Sequence, residues 1–297
     1  MRTDDDSWDV TTSVGATALF VAAARALESQ KPQPVAVDPY AADLCRAAGG
    51  LWADLIDGKS PDHRLHTPFG QLFQSFQGAR TKFFDEFFAA ALGAGVRQAV
   101  ILAAGLDSRG YRLPWPAGTV VFELDQPKVL EFKRTVLVDH GHAPTAELRD
   151  VGIDLRDDWP QALADNGFDT ATPSAWIAEG LLMYLPAITR DQLFTAINGL
   201  AGRGSQVALE QLAPADPDLV EAARNRELET QDPHPFWSLV YNEQHSDPVE
   251  WFRKHDWDVV AVTLHDYLGS LGVAVPPPKS QGRHLISTIS LITANRS

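Results

Sequence analysis

Gly105, Asp107, Asp125, Asp154 and Glu179 are the residues of this 297-residue chain whose types and spacing could do chemistry. Gly105 closes the apolar run Ala99–Val100–Ile101–Leu102–Ala103–Ala104. A glycine there lets the backbone turn sharply and lets a ligand approach, because no Cβ stands in the way. Twenty positions later a second apolar run, Val120–Val121–Phe122–Glu123–Leu124, ends in Asp125. That is about the spacing at which a nucleotide-binding βαβ unit sets a carboxylate against ribose hydroxyls. The loop separates two kinds of cofactor. A dinucleotide needs backbone N–H groups around its pyrophosphate, hence the three glycines of G-x-G-x-x-G. The corresponding positions here are Ala103, Gly105 and Ser108, and Asp107 adds a charge that repels a pyrophosphate. An adenosine cofactor without phosphates meets neither objection. S-adenosyl-L-methionine (AdoMet) is one, and its ammonium and sulfonium suit an acidic loop. A buried strand and turn with no ligand is the plain alternative.

The elements that must position these residues alternate between strand and helix. After the two runs above, strands are expected at Glu147–Leu155 (running into a loop), Ser174–Ala178, Gln206–Glu210, Val259–Leu264 and Ser287–Ile292. The last alternates small polar with apolar residues, as an antiparallel strand near an edge does. Such alternation predicts a doubly wound α/β sheet, whose ligands bind outside the carboxyl ends of the strands. Four expected strand ends carry glycine or acid: Gly105 to Asp107, Asp125, Asp154, and Glu179–Gly180. Asp125 would accept from ribose hydroxyls, and Asp154 from the adenine amino group with Leu155 against the ring. Glu179 would sit near the amino-acid end, and Arg80 could pair with the cofactor carboxylate. Each acid taken alone would serve equally as a helix N-cap.

Before the sheet, a helix is expected from Ser13, with Ala16, Leu19, Phe20, Ala23 and Leu27 at helical spacing. Lys31–Pro32–Gln33–Pro34 breaks it, and Asp38–Pro39 reads as N-cap and first residue of the next helix. Gly58 to Phe76 reads as irregular; its His63 and His66 have no Cys/His companions, so no metal site is expected. Arg80–Thr81–Lys82 opens an amphipathic helix whose stripe is Phe83, Phe84, Phe87, Phe88, Ala91 and Leu92, ended by Gly93 and Gly95. Cations at that end gain nothing from the helix dipole, which suits either a ligand anion or plain solvation. A long interruption, Pro214 to Phe252, carries prolines 214, 217, 233, 235 and 248 with Phe236, Trp237, Tyr241 and Trp251. Insertions of that length are usually functional. It reads as a cover over the cofactor, or else as a helical decoration on the sheet edge. The expected organisation is an N-terminal helical segment, 1–97, covering a core of 98–297 with the insertion at about 214–252. Pro276–Pro277–Pro278 reads as a rigid spacer.

Composition sets bounds. Apolar residues make up 44% and charged residues 22%, as in a globular protein with a sizeable core. The net charge of −14 argues against nucleic acid or an anionic membrane as partner. The single cysteine, Cys45, allows no internal disulfide and reads as a buried thiol, as in a reducing compartment. Residues 1 to 7 are polar and read as frayed, Asp4–Asp5–Asp6 stand where a secretion signal would be basic, and Ala16 to Ala24 is too short to span a bilayer. A cytoplasmic location is the expectation.

Taken together, Arg80–Thr81–Lys82–Phe83–Phe84–Asp85, Ala103 to Arg109, Phe122–Glu123–Leu124–Asp125–Gln126–Pro127 and Glu179 to Leu185 resemble the leucine carboxyl methyltransferase family. Ser13–Val14–Gly15–Ala16–Thr17–Ala18 and Asp38–Pro39–Tyr40–Ala41 are similar to its actinobacterial, mycobacterial-type branch. The resemblance implies a class I methyltransferase (Rossmann-like) fold of seven strands in order 3-2-1-4-5-7-6, the seventh antiparallel, with AdoMet as cofactor. It implies cofactor contacts at Arg80, Gly105, Asp125, Asp154, Leu155 and Glu179, with Ala103, Asp107, Gln126 and Gly180 in the same motifs. Tyr184, Trp237 and Tyr241 are candidates on the acceptor side. Ala103 stands where the eukaryotic phosphatase methyltransferases of the family tend to have glycine, which argues against their protein substrate. A carboxylate acceptor is already ionised and needs no base, only a cation or hydroxyl to hold it. A phenol or alcohol would want one, and His234 and His245 are the nearest candidates unless both are plain loop residues. No catalytic base is assigned. The expected function is O-methylation of a small molecule, a carboxylate among the candidates. The alternatives are an NAD-dependent oxidoreductase or an AdoMet-binding protein without catalysis. The sequence leaves the oligomeric state open.

Overall fold

Gln98–Leu102 (β1) is buried at all five positions, as a strand covered on both faces must be. It lies at the centre of a seven-stranded sheet in the computed structural model, which describes residues 14–230, 236–278 and 280–297. The other strands are Val120–Asp125 (β2), Glu147–Gly152 (β3), Ser174–Ala178 (β4), Gln206–Leu212 (β5), Trp257–Thr263 (β6) and Ile289–Arg296 (β7). Their order is β3-β2-β1-β4-β5-β7-β6, and only β7 runs antiparallel to its neighbours. Val100 pairs with Phe122 on one side and Trp176 on the other, so the C-terminal ends of β1, β2 and β4 finish level.

Helices Val14–Ser29 (α1), Ala41–Ala48 (α2), Gly50–Ile56 (α3) and Pro68–Gly93 (α4) precede the sheet. Arg109–Arg112 (α5), Pro127–Asp139 (α6), Trp159–Asp165 (α7) and Ala187–Leu200 (α8) connect its first five strands. Pro217–Thr230 (α9) and Pro248–Lys254 (α10) follow β5, and Leu264–Ser270 (α11) and Gln281–Thr288 (α12) separate β6 from β7. Strand side chains alternate between faces, which yields two cores. Val100, Leu102, Phe122 and Trp176 meet Phe194 of α8 and Phe252 of α10. Ile101, Ala175 and Ile177 meet Phe84 and Phe88 of α4. Each of those phenylalanines is fully buried, a gain of ~1.5–3 kcal/mol apiece. A third cluster joins α1–α3, including Cys45, to Leu106 and Tyr111 behind the glycine turn.

Four expectations need correction. The helix expected to open at Arg80 starts twelve residues earlier, capped by Thr67, whose Oγ1 accepts from the N–H of Gly70 at 3.1 Å, with Pro68 in its first turn. Arg80 and Lys82 therefore lie in mid-helix, and the end-of-helix reading of their charge lapses. A Cβ at Gly70 would overlap the backbone of Arg64 and Leu65, so this glycine permits the close docking of the helix start. Asp38 is not the N-cap of α2, which begins at Ala41; its Oδ1 instead accepts from the N–H groups of Tyr40 and Ala41 at 3.1 and 3.2 Å. The final strand starts at Ile289, two residues late, because Ser287 and Thr288 end α12. β3 stops at Gly152, which leaves Asp154 and Leu155 on the loop beyond it. Residues 1–7, Ser13, His234 and prolines 233 and 235 lie outside the described residues. Among the described residues no helix is long and apolar enough to cross a membrane.

Candidate functional site

β1 ends in a turn with two residues in the left-handed region, Ala103 at φ 50° and Gly105 at φ 49°. A Cβ on Gly105 would find nothing nearer than the Ala18 Cβ at 3.8 Å, so the turn has open space before it. Asp125 closes the turn from below. Its Oδ2 accepts from the N–H of Gly105 and its Oδ1 from the N–H of Gln126, both at 2.6 Å. The carboxylate has no ion-pair partner among the described residues, and burial lifts its pKa above the usual aspartate value against those two N–H bonds. A carboxylate accepts about four hydrogen bonds; these two leave room for a diol. Gln126 then reaches sideways, donating from Nε2 to Asp154 Oδ2 at 2.7 Å. Arg156 also grips Asp154, with Nη2 to Oδ2 at 2.6 Å. Burial pulls the Asp154 carboxyl upward, but the Arg156 hydrogen bonds and charge hold it below its usual value.

Under β4 and β5 the charges form a lattice. Arg80, in mid-α4 and 5% exposed, lies 2.9 Å from Glu179 through Nε and 2.8 Å from Glu210 through Nη1. Glu210 Oε2 also accepts from the N–H of Gly180 at 2.8 Å, and a Cβ on Gly180 would press on Arg80 Nη1 at 3.1 Å. Arg109 joins Glu179 at 2.7 Å, Asp85 at 2.7 Å, and Asp107. Burial opposes the charge on Arg109 but the carboxylates around it outweigh burial, so its pKa is raised and it stays a cation. Arg112 clasps Asp85 with both terminal nitrogens and reaches Ser108 Oγ at 3.0 Å. Ser108 donates to Asp38 at 2.8 Å, and Arg25 donates to Asp38 at 2.9 Å and to the Leu106 carbonyl at 2.7 Å. Asp107 is thus a ligand of Arg109. The turn feeds α5, a single turn of four residues, which is a poor anion cradle beside the long helix start that holds a pyrophosphate.

One cavity of about 780 Å³ opens over this floor. Arg80, Ala103, Gly105, Asp107, Asp125, Gln126, Asp154, Leu155, Glu179 and Gly180 all border it, as do Tyr184, Trp237 and Tyr241. From the 214–252 insertion, α9 and residues 236–241 line the cavity, whereas α10 packs Phe252 beside Phe194 and Trp257 on the sheet. Glu227 of α9 holds the aromatic segment, accepting from the N–H groups of Phe236 and Trp237 at 2.8 Å and of Ser238 at 2.9 Å. Arg224 donates to the Trp237 and Val240 carbonyls. His245 is not among the lining residues; its Nδ1 meets the Ser246 carbonyl at 3.0 Å. His63 caps the short 3₁₀ turn Arg64–His66, accepting from the N–H of Leu65 at 3.2 Å. Arg109, Glu210, Asp38 and Gln77 were missed by sequence reasoning. Glu210 alone had a readable signal, an acid closing the apolar run Val207–Ala208–Leu209.

A sequence model described as leucine carboxyl methyltransferase matches residues 18–198. A protein from Mycobacterium tuberculosis H37Rv, named as a candidate AdoMet-dependent methyltransferase, is 59% identical over 301 residues and covers all of both chains. One from Mycolicibacterium smegmatis, with the same description, is 55% identical over 296 residues and again covers both. Two solved structures share the fold. A candidate methyltransferase from Thermobifida fusca superposes with a TM-score of 0.51 at 18% identity, over 86% of this chain and 94% of its own. A duf574 family protein from Streptomyces avermitilis superposes at 0.53 and 14% identity, over 86% and 96%.

Proposed function

Because the chain belongs to the leucine carboxyl methyltransferase family and is an AdoMet-dependent methyltransferase, we propose that it methylates an oxygen of a small molecule, with a carboxylate as the favoured acceptor. The observation that carries the cofactor site is Asp125. It is a buried carboxylate with no ion-pair partner among the described residues, pinned by two backbone N–H groups at a strand end. In this reading Asp125 accepts from the ribose hydroxyls, and Leu155 lies against the adenine beside Asp154. Glu179 faces the ammonium, and Arg80 reaches the carboxylate with the edge that Glu179 and Glu210 leave. Ala103, Gly105, Asp107, Gln126 and Gly180 shape the floor beneath.

The bound cofactor supplies an electrophilic methyl carbon on a sulfonium. The protein has then to align the acceptor oxygen and exclude water. The N-terminal segment before residue 97, α9 and residues 236–241 form the cover that does so, with Tyr184, Trp237 and Tyr241 toward the acceptor. Support for a carboxylate comes from Arg226, which lines the cavity on α9 and has no ion-pair partner among the described residues. A carboxylate needs such a cation and no base. The test is calorimetric titration of the purified protein with AdoMet, S-adenosylhomocysteine and NAD, followed by a carboxylate screen with labelled AdoMet. Binding of NAD in place of the adenosyl sulfur compounds would overturn the reading.

A further inference from the structure

We infer that Gln77 is the side chain that holds the acceptor's oxygen, an inference that rests on the methyltransferase reading above. Gln77 sits on α4, is 1% exposed and borders the cavity, yet neither its Oε1 nor its Nε2 has a hydrogen-bond partner among the described residues. A dry, unpaired amide is a standing penalty in a folded protein, and such groups call for an explanation. Gln74, one turn earlier and equally sequestered, is the contrast. Its Nε2 donates to the Leu65 carbonyl at 2.8 Å, and it does not border the cavity. Buried amides on this helix are therefore satisfied where they are structural. One turn after Gln77, on the same face, Thr81 Oγ1 is also buried, without a partner among the described residues, and at the cavity wall.

Position assigns Gln77 to the acceptor. Arg80 marks the amino-acid end of the cofactor site. Gln77 lies one turn beyond it toward the start of α4, where the wall turns to the rings of Phe73 and Phe76. An amide beside aromatic rings both donates and accepts, so it complements one oxygen function on a flat apolar body. The acceptor class is a ring-bearing hydroxyl or carboxylic acid.

The experiment uses the full chain saturated with S-adenosylhomocysteine and three probes, naphthalene, 2-naphthol and 2-naphthoate, in equilibrium dialysis. The wild type should bind an oxygenated probe about tenfold more tightly than naphthalene, the equivalent of one hydrogen bond. Gln77→Met, matched in length and apolar, should lose that preference, keep S-adenosylhomocysteine affinity within about twofold, and melt higher than the wild type without ligand. Gln77→Leu serves if the methionine variant does not fold. A preference that survives either substitution, a wild type indifferent to the oxygen, or a tenfold loss of S-adenosylhomocysteine affinity in the variant each overturns the inference. The last outcome would assign the amide to the cofactor. A wild type that binds no S-adenosylhomocysteine would instead overturn the methyltransferase reading beneath it.

Discussion

Asp125 carries most of the weight at the scale of single residues. In the proposed site its carboxylate would offer charge-assisted acceptance to the cofactor's diol, a contribution of ~1.5–3 kcal/mol per hydrogen bond to a charged group. Asp125→Ala should therefore weaken S-adenosylhomocysteine binding by about 10- to 100-fold, read by calorimetry. Burial raises its pKa, and the proton removes the acceptor, so affinity should decline on acidification. The decline should begin at a higher pH than a solvated aspartate would give. Cys45 makes the opposite kind of prediction. Fully buried on α2, its thiol is pushed up to about 12, so almost no thiolate exists at neutral pH. A disulfide reagent at pH 8 should label it only as fast as the protein unfolds, and instant labelling of native protein would contradict the packing of α1–α3. The strand-end acids were legible because an apolar run stopping at a carboxylate is a local signal. Their partners were not: Arg80 and Glu210 are 130 positions apart, and nothing in a single sequence joins them.

At the scale of elements, α4 explains what the sequence concealed. Its first three turns put Gln74 and Gln77 at buried positions. An apolar period is present there, with Phe69, Leu72, Phe73 and Phe76 at helical spacing, but Pro68, Gly70, Gly78 and the interleaved glutamines read as breaks, so the helix was placed only from the later phenylalanines. The same physics blurred the end of the chain, where Ser287 and Thr288 of α12 alternate with apolar neighbours as strand residues would. β1, β2 and β4 had no such ambiguity, being short apolar runs bounded by turns. The proposed cover is fastened differently from the core. Val220 is the buried side chain of α9, and the aromatic segment hangs on Glu227 and Arg224. Glu227→Ala should therefore raise the KM for an acceptor several-fold, speed proteolysis within 236–241, and leave S-adenosylhomocysteine affinity near that of wild type. A fall in cofactor affinity equal to the rise in KM would mean that this segment serves the cofactor instead.

For the molecule as a whole, the helices before residue 97 share a core with the sheet and should not behave as a detachable unit. Phe84 and Phe88 complete one face of the sheet, and removing them would expose a layer each of whose rings is worth ~1.5–3 kcal/mol buried. A fragment of residues 98–297 should show no cooperative melting transition, and a sharp one would contradict a shared core. The alternation of strands and helices carried this architecture plainly, whereas the polar part of the tie between the first helices and the glycine turn leaves no pattern. That tie runs from Arg25 through Asp38 and Ser108 to Arg112, with Arg25, Asp38 and Ser108 mostly or wholly out of solvent. Counter-ions act through water, and going from about 0.1 M to about 1 M salt shortens the Debye length from ~10 to ~3 Å without reaching charges that water does not touch. The fold has in effect put its electrical wiring inside the wall. Cofactor affinity should stay within about twofold across that range of salt, in brine as in dilute buffer.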